Sequence, residues 1–263
     1  MNKKDLPIGI FDSGAGGLTV LKEIKKILPS EDIVYLGDTA HLPYGAKSKS
    51  TIIKLSISNI LFLLEKKVKL IIVACNSTSS VALPLIKNFF GVPILGVVEA
   101  GVEAVLDRKA KRIGIIGTSA TIGSMSYQNL IKKRRPKAKI IAASCPLFVP
   151  LVEEGWVDSS VTELVAKTYL KGFKGKVDLL ILGCTHYPLL KKVISKVLDK
   201  TELIDSAEEV ATKTRDILKK SNLLKSKKRG KISFFLTDNS PVFPKLAELV
   251  LKRKFKPTVV SNI

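Results

Sequence analysis

Three cysteines in 263 residues, an odd number, do not make a disulfide framework. Membrane spans are missing too: the apolar stretch at 52–64 is broken by Lys54, Ser56, Ser58 and Asn59. The opening residues, Met-Asn-Lys-Lys-Asp-Leu-Pro, hold no apolar segment of the kind a secretory signal needs. The expectation is a cytoplasmic protein with no membrane segment. Acidic residues are scarce, 23 against 44 Lys plus Arg, and the formal charge is +21. Basic patches at 132–139, 219–231 and 252–256 suit phosphate-rich partners. Yet the excess is spread along the chain and no aromatics interleave with it, which favours a solvated basic face over nucleic-acid binding. Such a surface also attracts small anions.

Several cofactor signatures are absent. No Gly-Lys-Ser/Thr stands in the chain, so there is no P-loop, and Thr19 occupies the place where a dinucleotide fingerprint needs glycine. Neither C-x-x-C nor H-x-x-x-H spacing occurs. Cys75, Cys184, His186 and His41 therefore make zinc a minority reading, and no metal is expected.

What is present is a core and a repeat. Hydrophobic residues make up 46% of the chain, enough for one large domain or two ordinary ones. Short, nearly continuous apolar runs at 8–11, 33–37, 70–74 and 92–97 alternate with helical patterns at 18–27, 51–65 and 79–89. That alternation predicts a parallel sheet covered on both faces. The phrase at 7–15, Pro-Ile-Gly-Ile-Phe-Asp-Ser-Gly-Ala, is then echoed at 112–120, and strands follow at 139–144, 179–182 and 201–205. A duplicated α/β fold is expected: two similar domains with parallel-sheet cores related by a pseudo-twofold, and the active site in the cleft between them. The boundaries expected are 1–97 plus 207–263 for the first domain and 98–206 for the second. A helix at 208–223 and a strand at 232–237 complete the tail.

The most specific duplication ends on sulfur. Residues 68–76 read Val-Lys-Leu-Ile-Ile-Val-Ala-Cys-Asn, and 177–185 read Val-Asp-Leu-Leu-Ile-Leu-Gly-Cys-Thr. Carboxyl ends of strands are where α/β folds place their sites. Two like thiols, Cys75 and Cys184, suit a reaction that needs a base on one face of a carbon and an acid on the other. A thiol close to a helix N-terminus is expected to have a lowered pKa. Cys145 has no repeated context and reads as a small core residue. His186 and Asp12 are candidate proton partners of the thiols; taken alone, His186 reads more simply as a neutral loop histidine. The turn after Asp12 reads as a helix cap or, paired with Thr118 and Ser119 at the matching turn, as a cradle for a small carboxylic acid. A Cys–His hydrolase is a further alternative, one that leaves the second thiol idle.

Four stretches together carry a resemblance: Ile-Gly-Ile-Phe-Asp-Ser-Gly-Ala-Gly-Gly-Leu (8–18), Gly-Asp-Thr-Ala-His-Leu-Pro-Tyr-Gly (37–45), Val-Ala-Cys-Asn (73–76) and Leu-Gly-Cys-Thr-His-Tyr-Pro-Leu (182–189). In order and spacing the chain resembles the glutamate racemases of the aspartate/glutamate racemase superfamily, over almost its whole length. The resemblance implies interconversion of L- and D-glutamate without a cofactor, the D form serving peptidoglycan and hence cell-wall synthesis. It implies Cys75 and Cys184 as paired acid and base, with Asp12, His186 and Glu153 as auxiliary acid–base groups. It implies substrate contacts by Asp12, Ser13, Tyr44, Gly45, Asn76, Ser77, Thr118, Thr121, Thr185 and His186, and a homodimer. Ser77 stands where the family usually has threonine; it keeps the hydroxyl but not the stiff rotamer. Aspartate racemisation is the related reading, and a basic binding protein on a racemase fold is the reading from another class.

Overall fold

The computed structural model describes residues 2–226 and 229–260. Lys227 and Lys228 of the basic patch at 219–231, and residues 1 and 261–263 at the ends of the expected first domain, lie outside the described residues. Among the described residues ten strands form two sheets, and every pairing is parallel. The first six-stranded sheet contains β1 (Ile8–Asp12), β2 (Ile33–Gly37), β3 (Leu70–Val73), β4 (Ile94–Gly96), β9 (Ile232–Leu236) and β10 (Thr258–Val259). The second holds β5 (Arg112–Gly117), β6 (Lys139–Ser144), β7 (Leu179–Gly183) and β8 (Glu202–Ile204). Their orders, β10-β9-β2-β1-β3-β4 and β6-β5-β7-β8, share the same inner pattern. The expected α/β class with two parallel-sheet cores is borne out, and the sequence echoes at 7–15 and 112–120 mark the two central strands, β1 and β5.

The strands are apolar at successive positions because both faces are covered. β1, β2, β3 and β7 are buried at every residue, and each fully buried Ile or Leu side chain contributes about 1.5–3 kcal/mol. One contiguous buried cluster runs from Ile8, Ile10 and Leu21 in the first half to Leu180, Leu182 and Ile194 in the second. The halves therefore share core. Among the described residues no helix is long and apolar enough to cross a membrane.

The helices depart from expectation in instructive ways. The stretch 79–89 is not one helix: Asn76–Val81 is followed by Leu83–Ile86 and a 3-10 turn, Lys87–Phe89. Pro84 supplies no N–H for the carbonyl of Ser80. That carbonyl instead accepts the Ser126 hydroxyl at 2.6 Å, a contact from the other half. The apolar run expected as a strand over 92–97 gives only β4, and Val97 already begins the helix Val97–Leu106. In that helix Val97, Val98, Ala100, Gly101, Val102, Ala104 and Val105 are all buried, and its polar edge is narrowed to Glu99 and Glu103, which leaves periodicity little to reveal.

A buried ion pair anchors the outer edge of the first half. Lys69 and Glu31 are 5% and 1% exposed. Lys69 Nζ donates to the carbonyls of Lys4 and Leu223 at 2.8 and 2.9 Å and meets Glu31 Oε2 at 2.6 Å as a charge contact outside hydrogen-bond geometry. Lys69→Met leaves the Glu31 carboxylate buried and uncompensated, so urea denaturation should show a loss of about 3–5 kcal/mol. The double variant Lys69→Met/Glu31→Leu should recover most of it.

Candidate active site

Cys75 follows β3 and Cys184 follows β7, the matching strands of the two sheets. Both thiols are free and buried, and both line one small cavity between the sheets' carboxyl edges. Of the residues expected at a site, Ser13, Tyr44, Gly45, Asn76, Ser77, Thr118, Glu153, Thr185 and His186 line the same cavity. Two lie one layer behind. Asp12 is fully buried, accepting from the Gly14 N–H at 3.0 Å and the Thr185 hydroxyl at 3.3 Å. Thr121, also fully buried, takes the Thr118 hydroxyl at 3.0 Å. Cys145 does not line the cavity; burial, and then the charge of Cys184, push its thiol up to about 12. Among the described residues no group of three or more His, Cys, Asp or Glu is arranged to hold a metal ion. His41 sits outside the cavity lining, with Nδ1 2.8 Å from Asp38.

The two thiols sit in different electrostatic surroundings. Cys75 is the residue before the helix Asn76–Val81, and its Sγ donates to Ser13 Oγ at 3.6 Å. Burial, reinforced by the charge of Asp12, pushes this thiol up to about 11, against the hydrogen bonds from Thr78 and Ser13. The lowered pKa expected from the helix start is thus reversed for Cys75: desolvation outweighs the few donors there. On the other side, Cys184 Sγ lies 3.8 Å from His186 Nδ1, and His186 Nε2 lies 3.2 Å from Glu153 Oε1. The second of these is a charge contact outside hydrogen-bond geometry. Burial opposes charge on His186, but the Cys184 contact and the close carboxylate of Glu153 outweigh it and raise the imidazole to about 10. His186 thus lies buried against Cys184 and Glu153, surroundings that favour its charged form. Asp12 is raised by burial, which exceeds the opposing charge of His186 and the donors Gly17, Gly14 and Thr185.

Sequence reasoning missed the groups that fix the cavity wall. Tyr44 donates its hydroxyl to Asp38, and Asn59 donates to that hydroxyl at 2.9 Å. Asp38 also accepts the Thr237 hydroxyl, at 2.7 Å, tying the loop after β2 to the residue following β9. Asp38 stands within the 37–45 motif, whereas nothing in the local pattern marks Asn59 or Thr237. Close approach across the cleft explains two glycines. A Cβ on Gly45 would lie 2.5 Å from Thr118 Cβ, and one on Gly16 would lie 2.3 Å from Thr185 Oγ1 and 2.5 Å from His186 Nδ1. Ser77 Oγ and Thr118 Oγ1, 2.9 Å apart, and Thr19 Oγ1 donating to the Thr185 carbonyl at 3.1 Å complete the contact.

The raised pKa of His186 sets a pH window. A histidine held charged in the folded state adds stability in full below its unfolded pKa, about 6.5, and loses it as pH rises through the folded value, about 10. The gap in melting temperature between the wild type and His186→Gln should be widest at pH 6 and close above about 10.

Comparison with known proteins agrees with the motifs. The family profile described as Asp/Glu/Hydantoin racemase matches residues 8–214. A glutamate racemase of Aquifex aeolicus (strain VF5) is 47% identical over 98% of this chain and 99% of its own length. Among solved structures, a glutamate racemase from Francisella tularensis in complex with D-glutamate superposes with a TM-score of 0.93 at 40% identity, covering 98% of both chains. The Escherichia coli glutamate racemase, solved with L-glutamate and the activator UDP-MurNAc-ala, superposes with a TM-score of 0.76 at 27% identity over 97% of both chains. The likeness extends over the whole duplicated sheet system that carries the thiols, and on that ground the chain belongs to the Asp/Glu/hydantoin racemase family.

Proposed function

We propose that this amino-acid racemase interconverts L- and D-glutamate by proton transfer between two thiols, without a cofactor. The observation that carries the reading is the pair Cys75 and Cys184 on one buried cavity, each at the carboxyl end of the corresponding strand of its sheet. In one direction the Cys184 thiolate takes the α-proton and becomes a thiol, while Cys75 gives its S–H proton to the opposite face of the carbon and becomes the thiolate. The reverse direction exchanges those roles, and no atom or charge is left over.

The surroundings support this division. Cys75, pushed up to about 11, is the resting acid. The imidazolium of His186, backed by Glu153, is the nearest counter-charge for a thiolate at Cys184. Asp12 acts on the Cys75 side, where its charge bears on that thiol. Amide and hydroxyl groups of Ser13, Asn76, Ser77, Thr118 and Thr185 surround the cavity and suit the carboxylates of the substrate, with Tyr44 and Gly45 forming the wall and Thr121 holding Thr118. Negative charge that builds up beside the α-carboxylate is stabilised by such fixed donors in a site from which water is excluded.

Substrate entry requires opening. The cavity amounts to about 30 Å³, against roughly 10–15 Å³ for one water, so an amino acid does not fit until the halves or the loop at 38–47 move apart. Sheet membership supports a division into 1–97 with 207–263 and 98–206, and the cleft between these parts is where closure dries the site. The cellular reading is supply of D-glutamate for peptidoglycan, by a homodimer in the cytoplasm.

Circular dichroism of L-glutamate incubated with purified protein tests the reading. Optical activity should decay to zero without added cofactor and in the presence of a chelator. Cys75→Ala and Cys184→Ala should each lower turnover at least about a thousandfold, consistent with loss of a general acid or base, with unchanged far-ultraviolet spectra. Wild-type turnover in either single variant contradicts the two-thiol mechanism.

A further inference from the structure

Tyr127 reaches both thiol-bearing strand ends. It sits in the helix Ser126–Arg134 with its side chain fully buried. A Cβ on Gly183, the residue before Cys184, would come 3.3 Å from Tyr127 Cε2, and one on Gly101 would come 3.2 Å from Cε1 and from the hydroxyl. Two glycines thus leave room for the ring against β7. From there the hydroxyl crosses to the other half and donates to Asn76 Oδ1 at 2.8 Å. Asn76 is the residue after Cys75 and lines the cavity. The preceding residue, Ser126, makes the bond to the Ser80 carbonyl already described, so the start of this helix is fastened to the first half at two points.

The chemistry of the amide gives this contact a consequence. An asparagine side chain offers one acceptor and one donor end, and either end can face a ligand. With Oδ1 committed to the phenol, Asn76 has its Nδ2 left for the cavity, and Nδ2 takes no protein partner among the described residues. Burial, and after it the charges of Cys184 and Asp205, raise the phenol above the usual tyrosine range, which keeps Tyr127 a donor.

We propose that Tyr127 is a positioning residue for the racemisation: it holds the Asn76 amide with its N–H groups toward a carboxylate oxygen of the substrate and braces the end of β7 against the residue following Cys75. The inference rests on the racemase reading and adds the group that orients one of its donors. It acts through Asn76, so its effect belongs to substrate affinity more than to the chemical step.

The experiment is a double-mutant cycle read by steady-state kinetics with both enantiomers, using wild type, Tyr127→Phe, Asn76→Ala and the double variant. Tyr127→Phe keeps the ring and removes only the donor. It should raise KM about five- to tenfold, the range of one hydrogen bond, with a smaller change in kcat. The double variant should be no worse than Asn76→Ala alone, because the phenol has nothing left to orient. An unchanged KM in Tyr127→Phe, or a double variant whose loss is the product of the single losses, overturns the inference while the racemase reading stands. Inactive wild-type protein would instead overturn the racemase reading. If Tyr127→Phe fails to fold, Asn76→Asp decides the matter, since it keeps an acceptor for the phenol and removes the donor from the cavity. A KM raised at least as far as predicted for Tyr127→Phe supports the inference, and an unchanged KM overturns it.

Discussion

Burial of two thiols between the carboxyl edges of two parallel sheets is the constraint on which the rest of the molecule depends. Desolvation makes charge costly, so every ionisable group at the cleft has to be answered by a partner. Asp12 has Gly14, Gly17 and Thr185, while His186 has Cys184 and Glu153. The duplicated sheet brings the sulfurs to equivalent strand ends, and the surrounding groups then make them unequal. Cys75 faces a buried carboxylate and Cys184 faces an imidazole. A duplicated scaffold with unequal dressing suits a reaction whose two ends are mirror images and whose catalyst starts each turnover with one proton to give and one to take.

Closure follows from the same constraint. Glycines at 16 and 45 let backbone approach Thr185, His186 and Thr118 more closely than any side chain would allow. Hydroxyl pairs such as Ser77 with Thr118 bridge the halves. The result is a cavity of about 30 Å³, small enough to bring the few dipoles that line it close together. Away from the cleft the shared core and the Lys69–Glu31 pair hold the frame, and the two thiols sit at the ends of its buried strands.

Much of this was legible in the sequence because buried parallel strands are written as apolar runs, and because duplication repeated the run that ends on each cysteine. The strands at 33–37 and 139–144 and the helix at 18–27 coincide with the observed elements. The helix Val97–Leu106 was hidden because only Glu99 and Glu103 interrupt its buried small and apolar residues and its start runs on from the apolar strand β4, and the break after Val81 depends on Pro84 and on a serine from the other half. The sign of the Cys75 shift was misread because sequence displays a helix start but not the depth of burial that opposes it. Asp38 lies within the 37–45 motif, but its partners Asn59 and Thr237, and Tyr127 across the cleft, act through contacts between residues far apart in the chain. Periodicity and local motifs carry no trace of such contacts.

The central claim is that one sulfur removes the α-proton while the other, already equilibrated with solvent, supplies its replacement on the opposite face. Racemisation of L-glutamate in deuterium oxide, stopped after the first few per cent of turnover, tests it most directly. The D-glutamate formed should carry deuterium at the α-carbon, and the recovered L-glutamate should remain protiated. Product that retains the original proton, or recovered substrate that is labelled as fast as product appears, would mean that a single base serves both faces.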